Sequence, residues 1–395
     1  MIWWYHDLLM NGLRMDNLSN LTSIEELRTF AKKRVPKMFY DYVESGSWTE
    51  VTFHDNINDF QKIKFRQRVA VDISNRKTTV DILGKTSTMP CAIAPLGLLG
   101  MQYADGEIIA AKVAEDFGIP FTLSTMSICS IEDVARNTKE PFWFQLYVMK
   151  DHSFSKKLIE RAKIAGCSAL MLTIDLQILG QRHKDIKNGL STPPKLTARN
   201  ILNFLKYPNW CWNMLRTSRR SFRNIVGHVE GVSDISKLSA WVSEQFDPKL
   251  SWADVARIRD WWGGKFIIKG IMEPEDAVEA LKIGADAIIV SNHGGRQLDG
   301  ASSSIAMLPA IVNEVGTNVS VWMDGGIRSG QDVLKAVALG AEATLLGRSF
   351  CHGIGAFGSQ GGMKALKIMQ KELDATMALC GKRDIKDVDN SILRF

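Results

Sequence analysis

The sequence predicts a (β/α)8 barrel, and three observations lead to that prediction. Beyond residue 90, short apolar or β-branched runs alternate with helical stretches, and eight such units follow one another. Polar side chains collect at the carboxyl ends of the runs, and in a parallel barrel all these ends open on one face. At 395 residues the chain could form two average domains or one large barrel, and the eight units favour the barrel.

The predicted elements begin with a helical segment over residues 22–44, which Pro36 interrupts. Thr22 or Ser23 can cap the start of this segment. The eight predicted strands are Cys91–Ala94, Phe121–Ser124, Phe142–Tyr147, Ala169–Asp175, Phe266–Lys269, Ala287–Ser291, Val319–Asp324 and Ala343–Leu346. The helices predicted between them include Gly106–Phe117, Ile131–Asn137, Phe154–Ala165, Pro274–Ile283 and Gly330–Leu339.

A long segment separates the fourth and fifth predicted strands, and we interpret it as an insertion in one barrel loop. Residues 186–250 are assigned to this insertion, 21–395 to a single barrel domain, and 1–20 to an N-terminal extension. The first ten residues are apolar but lack the basic region and cleavage site of a signal peptide. No stretch approaches the roughly 18 apolar residues of a spanning helix, so no membrane span is predicted.

The basic charge of the chain is concentrated in residues 186–229. The formal net charge is +6, and this segment contains no Asp or Glu to offset its cations. It contains eight lysines and arginines, namely Lys187, Lys195, Arg199, Lys206, Arg216, Arg219, Arg220 and Arg223. Trp210 and Trp212 lie among them, and a basic segment with aromatic residues favours an anionic membrane surface. A disordered charged loop and a subunit contact are alternatives.

Other classes of partner have little support in the sequence. No recognisable binding module accompanies the basic charge, so no nucleic acid partner is predicted. The six cysteines show no metal-ligand spacing, which predicts neither a metal site nor disulfides and indicates a reducing compartment.

The segment SNHGGRQLDG, residues 291–300, follows an apolar run and carries the strongest chemical signal. The imidazole of His293 titrates near neutrality and can remove a proton from a substrate. The guanidinium of Arg296 can bind a carboxylate with two parallel hydrogen bonds. The alternative is that His293 only packs in the core. A histidine next to an arginine, with flanking glycines, is not typical of a packed core. The segment therefore predicts a site that binds and deprotonates an anionic substrate.

Two glycine-rich turns after the last two strands predict a phosphate site. The turns are DGGIRSG, residues 324–330, and LLGRSF, residues 345–350. Glycines let backbone N–H groups approach an anion, and a helix that begins near Ser329 adds its dipole. Arg328 and Arg348 add positive charge. Barrels usually bind phosphate at the last two strands, so the position agrees with the composition.

Together these motifs resemble those of the FMN-dependent L-2-hydroxy acid dehydrogenase and oxidase family, most closely its bacterial quinone-linked L-lactate dehydrogenase and mandelate dehydrogenase branch. The resemblance extends from VPKMFYDYVESG, residues 35–46, to TMALCGKRDI, residues 376–385. It implies FMN as cofactor, an L-2-hydroxy acid such as L-lactate as substrate, and a membrane quinone as acceptor. It also implies a homotetramer at the cytoplasmic side of the membrane, attached peripherally through residues 186–229.

The resemblance also implies a role for each matching residue. His293 matches the catalytic base, Asp175 the acid that orients it, and Tyr147 a residue near the substrate oxygen. The residues implied to bind the substrate carboxylate are Tyr42, Arg182 and Arg296. The residues implied to bind the cofactor are Pro95, Leu96 and Gly97 beside the flavin ring; Ser124, Gln145, Thr173, Lys269 and Ser291 around its polar edge; Asp324 at the ribityl chain; and Gly325, Gly326, Ile327, Arg328, Gly347 and Arg348 at the phosphate.

One loop departs from the family pattern. In DLQILGQRHKD, residues 175–185, Gln177 stands where the family usually has proline, and His183 where it has glutamate or tyrosine. Arg182 keeps its place, so the reaction is expected to be retained. Leu96, Met101 and Met126 are expected to line an apolar end of the substrate pocket, which suits lactate or a longer aliphatic or aryl 2-hydroxy acid.

Two other functions stay open at this point. One is an oxidase of the same family that reduces O2 to H2O2, and the other is a non-catalytic flavin-carrying membrane module. The His293–Asp175 pair disfavours the module, and likewise a non-redox FMN barrel, because neither needs such a base. Every predicted catalytic residue lies outside Leu196–Asn224, so excision of that stretch is expected to leave flavin reduction intact.

Overall fold

The computed structural model describes residues 18–190, 198–226 and 246–394, and at its centre lies a parallel barrel of eight strands. The barrel strands are β4 Cys91–Ile93, β5 Thr122–Ser124, β6 Trp143–Tyr147, β7 Ala169–Thr173, β8 Lys265–Ile271, β9 Ala287–Val290, β10 Ser320–Met323 and β11 Ala343–Leu346. Each pairs in parallel with its neighbours in chain order, and β11 pairs with β4. A parallel bridge between Ile93 and Phe121 closes the barrel between β4 and β5.

Helices surround the barrel and cover its outer face. They are α1 Ile24–Arg34, α2 Lys37–Val43, α3 Val51–Lys62, α4 Leu99–Gln102, α5 Gly106–Phe117, α6 Ile131–Ala135, α7 His152–Ile164, α8 His183–Lys187, α9 Ala198–Phe204, α10 Pro208–Arg216, α11 Trp252–Trp262, α12 Pro274–Ile283, α13 Ser304–Val315, α14 Gly330–Ala338 and α15 Arg348–Leu379. Non-helical backbone angles at Phe357 and Gly358 kink α15. Outside the barrel, β1 Lys64–Phe65 pairs with β12 Leu393–Arg394, and β2 Val80–Ile82 forms a hairpin with β3 Lys85–Ser87.

The barrel interior is packed with apolar side chains rather than hollow. The rings of Trp143 and Trp322 stack with centroids 5.4 Å apart, and Met171, Ile267 and Ile289 fill the space around them. Alternate residues of the same strands face outward and pack under the helices. Because the interior is filled, the carboxyl ends of the strands form the floor of any cavity at that end.

The predicted (β/α)8 fold is confirmed, and each predicted strand matches an observed one within two residues. The helical segment 22–44 is broken between α1 and α2 because Val35 precedes Pro36 and adopts an extended conformation, as proline requires of its neighbour. Ser23 is the cap of α1, with Glu26 completing a capping box. Most of the predicted extension 1–20 and parts of the insertion, 191–197 and 227–245, lie outside the described residues.

Candidate active site

A cavity of about 250 Å3 lies at the carboxyl ends of the barrel strands. The predicted site residues that line it are Tyr42, Pro95, Leu96, Gly97, Ser124, Tyr147, Arg182, Lys269, His293, Arg296, Asp324, Gly325, Gly326, Ile327, Arg328, Gly347 and Arg348. The other four, Asp175, Gln145, Thr173 and Ser291, are not part of the lining surface. Residues far apart in sequence meet here because all parallel strands end on the same face.

His293 and Asp175 form a hydrogen-bonded pair in the site. The His293 Nδ1 atom lies 2.9 Å from Asp175 Oδ1, so Nδ1–H donates to the carboxylate and Nε2 is left as the acceptor. Gly270, with φ at +110°, allows this approach, since a Cβ atom there would lie 2.7 Å from the Asp175 Cβ. Burial lowers the pKa of His293 below its ordinary value of 6.5, although the Asp175 charge acts in the opposite direction. The imidazole is therefore neutral at neutral pH.

The carboxylate of Asp175 is kept ionised by its neighbours. Burial by itself would raise its pKa, but the interaction with His293, which includes a hydrogen bond, and the positive charge of Lys269 outweigh burial and lower it. The Tyr147 ring lies beside the imidazole with centroids 6.4 Å apart. Burial and the Asp175 charge raise the pKa of Tyr147, so its hydroxyl stays protonated and can donate a hydrogen bond.

Lys269, in β8, is buried as a charged group. Its Nζ atom donates to Ser291 Oγ at 2.7 Å and lies 3.0 Å from Asp324 Oδ2. Burial lowers its pKa, but the carboxylates of Asp324 and Asp175 outweigh burial and raise the pKa above its ordinary value. A fixed positive charge therefore lies at the end of the barrel interior.

Two guanidinium groups lie near the Tyr42 ring. The central carbons of Arg296 and Arg182 lie 4.7 Å and 5.4 Å from its centroid. Arg296 Nη1 donates to the carbonyls of Tyr42 and Ser45, and Arg182 Nε lies 2.9 Å from Asp185 Oδ2. Burial and the nearby Arg182 charge lower the pKa of Arg296. Two cations this close in a buried site favour an anionic ligand.

The two glycine-rich turns differ in how much space they leave. A Cβ atom on Gly326 would lie 1.8 Å from the carbonyl oxygen of Asn56, so the first turn packs directly on α3. A Cβ atom on Gly347 would meet only the Ala94 Cβ, at 4.0 Å, which leaves room for a ligand before the start of α15. Arg348 donates to the carbonyls of Val43, Gly294 and Ser45, and its pKa is lowered to about 9 by burial and neighbouring arginines.

The polar atoms of the site fit a flavin mononucleotide. Gln145 Nε2, Thr173 Oγ1 and Asp324 Oδ1 are buried without a hydrogen-bond partner in the described part of the chain. A buried polar atom without a partner costs free energy, and the heteroatoms of a flavin ring and the hydroxyls of a ribityl chain would supply partners. The open cradle at Gly347, together with the buried cations of Arg328 and Arg348, suits the phosphate. The residues present therefore accommodate the cofactor that the sequence predicted.

Comparison with known proteins identifies the family. The sequence model described as FMN-dependent dehydrogenase matches residues 31–395. The chain belongs to the FMN-dependent dehydrogenase family. It is an FMN-dependent oxidoreductase, as predicted. The L-lactate dehydrogenase of Haemophilus influenzae (strain PittEE) is 42% identical over 369 residues, which cover 93% of this chain and 97% of the relative. The L-lactate dehydrogenase of Actinobacillus pleuropneumoniae serotype 5b (strain L20) is 42% identical over 374 residues, or 94% and 98% of the two chains.

Solved structures of the family have the same fold. The monotopic membrane protein (S)-mandelate dehydrogenase superposes with a TM-score of 0.90 at 36% identity, covering 95% of this chain and 99% of that one. A mandelate oxidase mutant with (S)-mandelic acid superposes with a TM-score of 0.80 at 32% identity, covering 95% of this chain and 98% of that one. The same barrel is therefore found in structures described as a dehydrogenase and as an oxidase.

The structure adds cavity residues that the sequence did not reveal. Phe222 and Phe246 line the cavity although both belong to the insertion, and Phe246 contacts the Tyr147 ring edge-on with centroids 5.6 Å apart. Leu176, Leu179 and Leu190 add further apolar lining. No local signal distinguishes these side chains from ordinary core residues, because their role depends on how the insertion folds back.

One expectation about this region was wrong. Leu96 and Met126 line the cavity, but Met101 does not, and its carbonyl accepts a hydrogen bond of 2.8 Å from Trp210 Nε1. Excision of 196–224 would remove Phe222 from the cavity wall and also Asn224. The buried Asn224 side chain bonds the backbone N–H of Ile131 at 2.9 Å and donates to Ser127 Oγ at 3.0 Å. The end of the insertion is thus part of the catalytic face.

The insertion also has an exposed side. Four of its apolar side chains are at least 60% exposed, namely Leu202, Leu205, Trp212 and Leu215. The composition suggested that the cations of the insertion have no acidic partners, but some of them do. Arg219 lies 3.1 Å from Asp105 and 3.2 Å from Asp133. Arg223 lies 3.4 Å from Asp133. Both carboxylates come from outside the basic segment. The side chains of Lys195 and Arg199 lie outside the described residues.

Proposed function

We propose that this protein oxidises an L-2-hydroxy acid, most simply L-lactate, to the 2-oxo acid and passes the electrons to a membrane quinone. The observation that carries the proposal is a histidine bonded to a buried carboxylate, with two arginines that line the same cavity. The reaction removes two protons and two electrons from the substrate. Bound FMN supplies the two-electron acceptor.

His293 takes one of the two protons that the substrate loses. The bond from Nδ1–H to Asp175 fixes the tautomer with a free Nε2 lone pair, which is the atom that accepts the proton. The imidazolium that forms is stabilised by the Asp175 carboxylate 2.9 Å away. Tyr147, beside the ring, donates a hydrogen bond to the substrate oxygen.

Arg182 and Arg296 hold the substrate carboxylate, with the Tyr42 hydroxyl as a third contact. The carbonyl and carboxylate bonds that both arginines already make keep them in place before substrate arrives. An anion between the two guanidinium groups also relieves their mutual repulsion. This arrangement orients the substrate so that its hydroxyl group meets His293.

Lys269 would stabilise the negative charge that a bound flavin gains on reduction. Its charge is maintained by Asp324 and Asp175 and does not depend on the substrate. Gln145, Thr173 and Ser124 would hold the ring, Asp324 the ribityl chain, and Gly326, Arg328, Gly347 and Arg348 the phosphate. Pro95, Leu96 and Gly97 would pack against the ring.

The choice of L-lactate is supported by the curated relatives at 42% identity, which are L-lactate dehydrogenases. The apolar lining by Leu96, Met126 and Phe246 suits a small alkyl group and also admits larger ones. A quinone acceptor is supported by the exposed apolar and basic side of the insertion, which suits a bilayer surface. We propose that this side attaches the protein peripherally to the membrane. Among the described helices none is long and apolar enough to cross a membrane.

An anaerobic panel tests this function. Purified holoenzyme is mixed with L-lactate, D-lactate, L-2-hydroxybutyrate and (S)-mandelate, and bleaching of the long-wavelength flavin band is recorded. We expect fast bleaching with L-lactate and little with D-lactate. Reoxidation is then followed with a soluble quinone and with O2, while H2O2 is measured. Bleaching by none of the acids contradicts the proposed reaction, and H2O2 release as fast as quinone reduction identifies an oxidase instead.

A further inference from the structure

The buried carboxylate of Asp185 lies beside one of the two arginines of the catalytic cavity and has no part in the reaction proposed above. Asp185 belongs to the first turn of α8, three residues after Arg182, and its side chain is 9% exposed. Arg182 Nε lies 2.9 Å from Asp185 Oδ2. Arg182 and Arg296 line the cavity, but Asp185 does not. Asp185 can therefore act on a ligand only through its charge or through these arginines.

Ser45 connects Asp185 with the second arginine. The Oγ atom of the fully buried Ser45 lies 3.4 Å from Asp185 Oδ1 and 3.5 Å from Arg296 Nη1. The same Nη1 atom donates a hydrogen bond of 3.0 Å to the backbone carbonyl of Ser45. The carboxylate is thus linked to both guanidinium groups, to one directly and to the other through a single side chain.

The two arginines and Asp185 form a small group of charges with an excess of one positive charge. Among the described residues, Asp185 is the only carboxylate within ion-pair distance of either guanidinium group. Two positive charges and one negative charge leave a net charge of +1. One substrate carboxylate brings this group to neutrality. A second carboxylate on the same ligand would leave an excess negative charge in a buried site, which is unfavourable.

The interaction between these charges is reciprocal. The charges of Arg182 and Arg296 lower the pKa of Asp185, although burial outweighs them and raises it above its ordinary value. The charge of Asp185 in turn raises the pKa of Arg296, whereas burial and Arg182 outweigh it and lower that pKa. The electrostatic environment of the carboxylate-binding arginines therefore depends on Asp185.

We propose that Asp185 is a specificity-determining residue, whose charge adapts the two arginines to a ligand with a single carboxylate. This proposal rests on the function proposed above and narrows its substrate class to 2-hydroxy monocarboxylates. Coulomb energy is proportional to the charge of the ligand, so the repulsion by Asp185 is twice as large for a dianion as for a monoanion. Removal of the charge should therefore favour dianions, whereas a purely structural role predicts no dependence on ligand charge.

Calorimetric titration of the oxidised holoenzyme with pyruvate and with oxalate tests this role. Both probes are small 2-oxo carboxylates with equal numbers of non-hydrogen atoms, but at about pH 8 pyruvate carries one negative charge and oxalate two. Asp185→Asn keeps the shape of the side chain and an oxygen that accepts from Arg182. We expect it to tighten pyruvate binding about fivefold and oxalate binding about 25-fold, which is the square of the first factor.

A second variant and a matched control accompany this measurement. Asp185→Ser also removes the charge, with different packing, and the change for oxalate should again be the square of that for pyruvate. The control is Asp41→Asn on α2, which removes a carboxylate from the same region. Asp41 pairs with Lys37, accepts a hydrogen bond of 2.7 Å from Asn188 Nδ2, and does not line the cavity. It should change each dissociation constant by less than about twofold.

Three results would overturn the role of Asp185. The first is an equal relative change for pyruvate and oxalate in the Asp185 variants, or a larger change for pyruvate. The second is an equally large gain for oxalate in the Asp41 variant, which would assign the effect to the total negative charge of the region. The third is that the parent binds neither probe, which would contradict the two arginines as carboxylate ligands and with them this proposal.

The outcome is separable from that of the proposed function, because the titrations involve no oxidation. A selective gain for oxalate in the Asp185 variants, without flavin bleaching of the parent by any 2-hydroxy acid, would support the role of Asp185 in anion selection and contradict the proposed reaction. Bleaching by L-lactate, together with equal relative changes for the two probes, would leave the reaction standing and contradict only the role of Asp185.

Discussion

The catalytic face of the barrel and the basic insertion use similar side chains in opposite environments. At the catalytic face, charged groups are buried and paired, as in His293–Asp175 at 2.9 Å and Lys269–Asp324 at 3.0 Å. On the outer side of the insertion, cations such as Lys206 and Arg216 are exposed and lie beside exposed apolar side chains. The two regions meet at Phe222 and Asn224, which belong to the insertion but contact the catalytic face.

The difference shows what burial does to a charge. In the buried site a neighbouring charge shifts the pKa of a side chain and fixes its orientation, so a single substitution there should change the reaction rate strongly. On the exposed side of the insertion, water and salt screen each charge. A single residue should therefore have a small effect, and the total charge should determine binding to a membrane surface. The following changes test this contrast from the largest expected effect to the smallest.

Replacing His293 with alanine should have the largest effect. We expect FMN to stay bound while flavin reduction by L-lactate slows by about 10^4-fold or more, because the proton acceptor is lost. The measurement is anaerobic stopped-flow bleaching of the flavin. His54→Ala, an exposed histidine outside the cavity, is the control and should bleach at the parental rate. Bleaching of the His293 variant at that rate would show that another group is the base.

Arg296→Lys should lower kcat/KM about 10- to 1,000-fold. The ammonium keeps the charge but cannot make two parallel bonds to a carboxylate while also bonding the carbonyls of Tyr42 and Ser45. The same change at the exposed Arg216 should leave kcat/KM within about twofold. Steady-state kinetics with L-lactate and a soluble dye compare the two variants, and similar kinetics for both would contradict the contrast between buried and exposed arginines.

The pH dependence of kcat/KM should reflect the protonation of His293, which is paired with Asp175. Only neutral His293 can accept a proton, and burial lowers its pKa below 6.5, so kcat/KM should fall only as pH drops below that value. Asp175 raises this pKa, so Asp175→Asn should move the acid limb to still lower pH. The same variant should lower the plateau by at least about 100-fold, because the tautomer is no longer fixed. An acid limb that moves to higher pH would contradict the assigned pair.

The exposed side of the insertion should show the smallest effects on catalysis. Trp212→Ser/Leu215→Ser should weaken binding to anionic vesicles several-fold at high salt, where apolar anchoring remains and cations are screened. Flavin reduction by L-lactate in solution should not change. Ile164→Ser, which alters an 88% exposed isoleucine on α7, is the control for both assays. Undiminished vesicle sedimentation of the double variant would leave this surface without a membrane role.

Much of the fold could be predicted from the sequence because its signals are local. Apolar runs and helical periodicity gave α5 and α12 with both boundaries correct and placed all eight strands. The ends of β8 and β9 carry Lys269 and the segment with His293, so the catalytic face was recognisable once the strands were assigned. At Ala94 and Ser291 the strands end one residue earlier than predicted, although the N–H group of each still donates to a neighbouring strand, at 3.1 Å to Leu346 and Ile271 respectively.

By itself, the sequence determined the barrel, the face of the barrel that carries the candidate site, and the residue types gathered there, since these depend on short-range patterns and on parallel strands ending together. Only the tertiary structure decided which groups are paired. Asp105 and Asp133 form ion pairs with Arg219, which is distant from both in sequence. Arg348 likewise donates hydrogen bonds to three backbone carbonyls of distant segments. The same holds for Asn224 against the loop at Ser127. Such contacts depend on how the insertion folds back onto the barrel, and no local periodicity encodes that path.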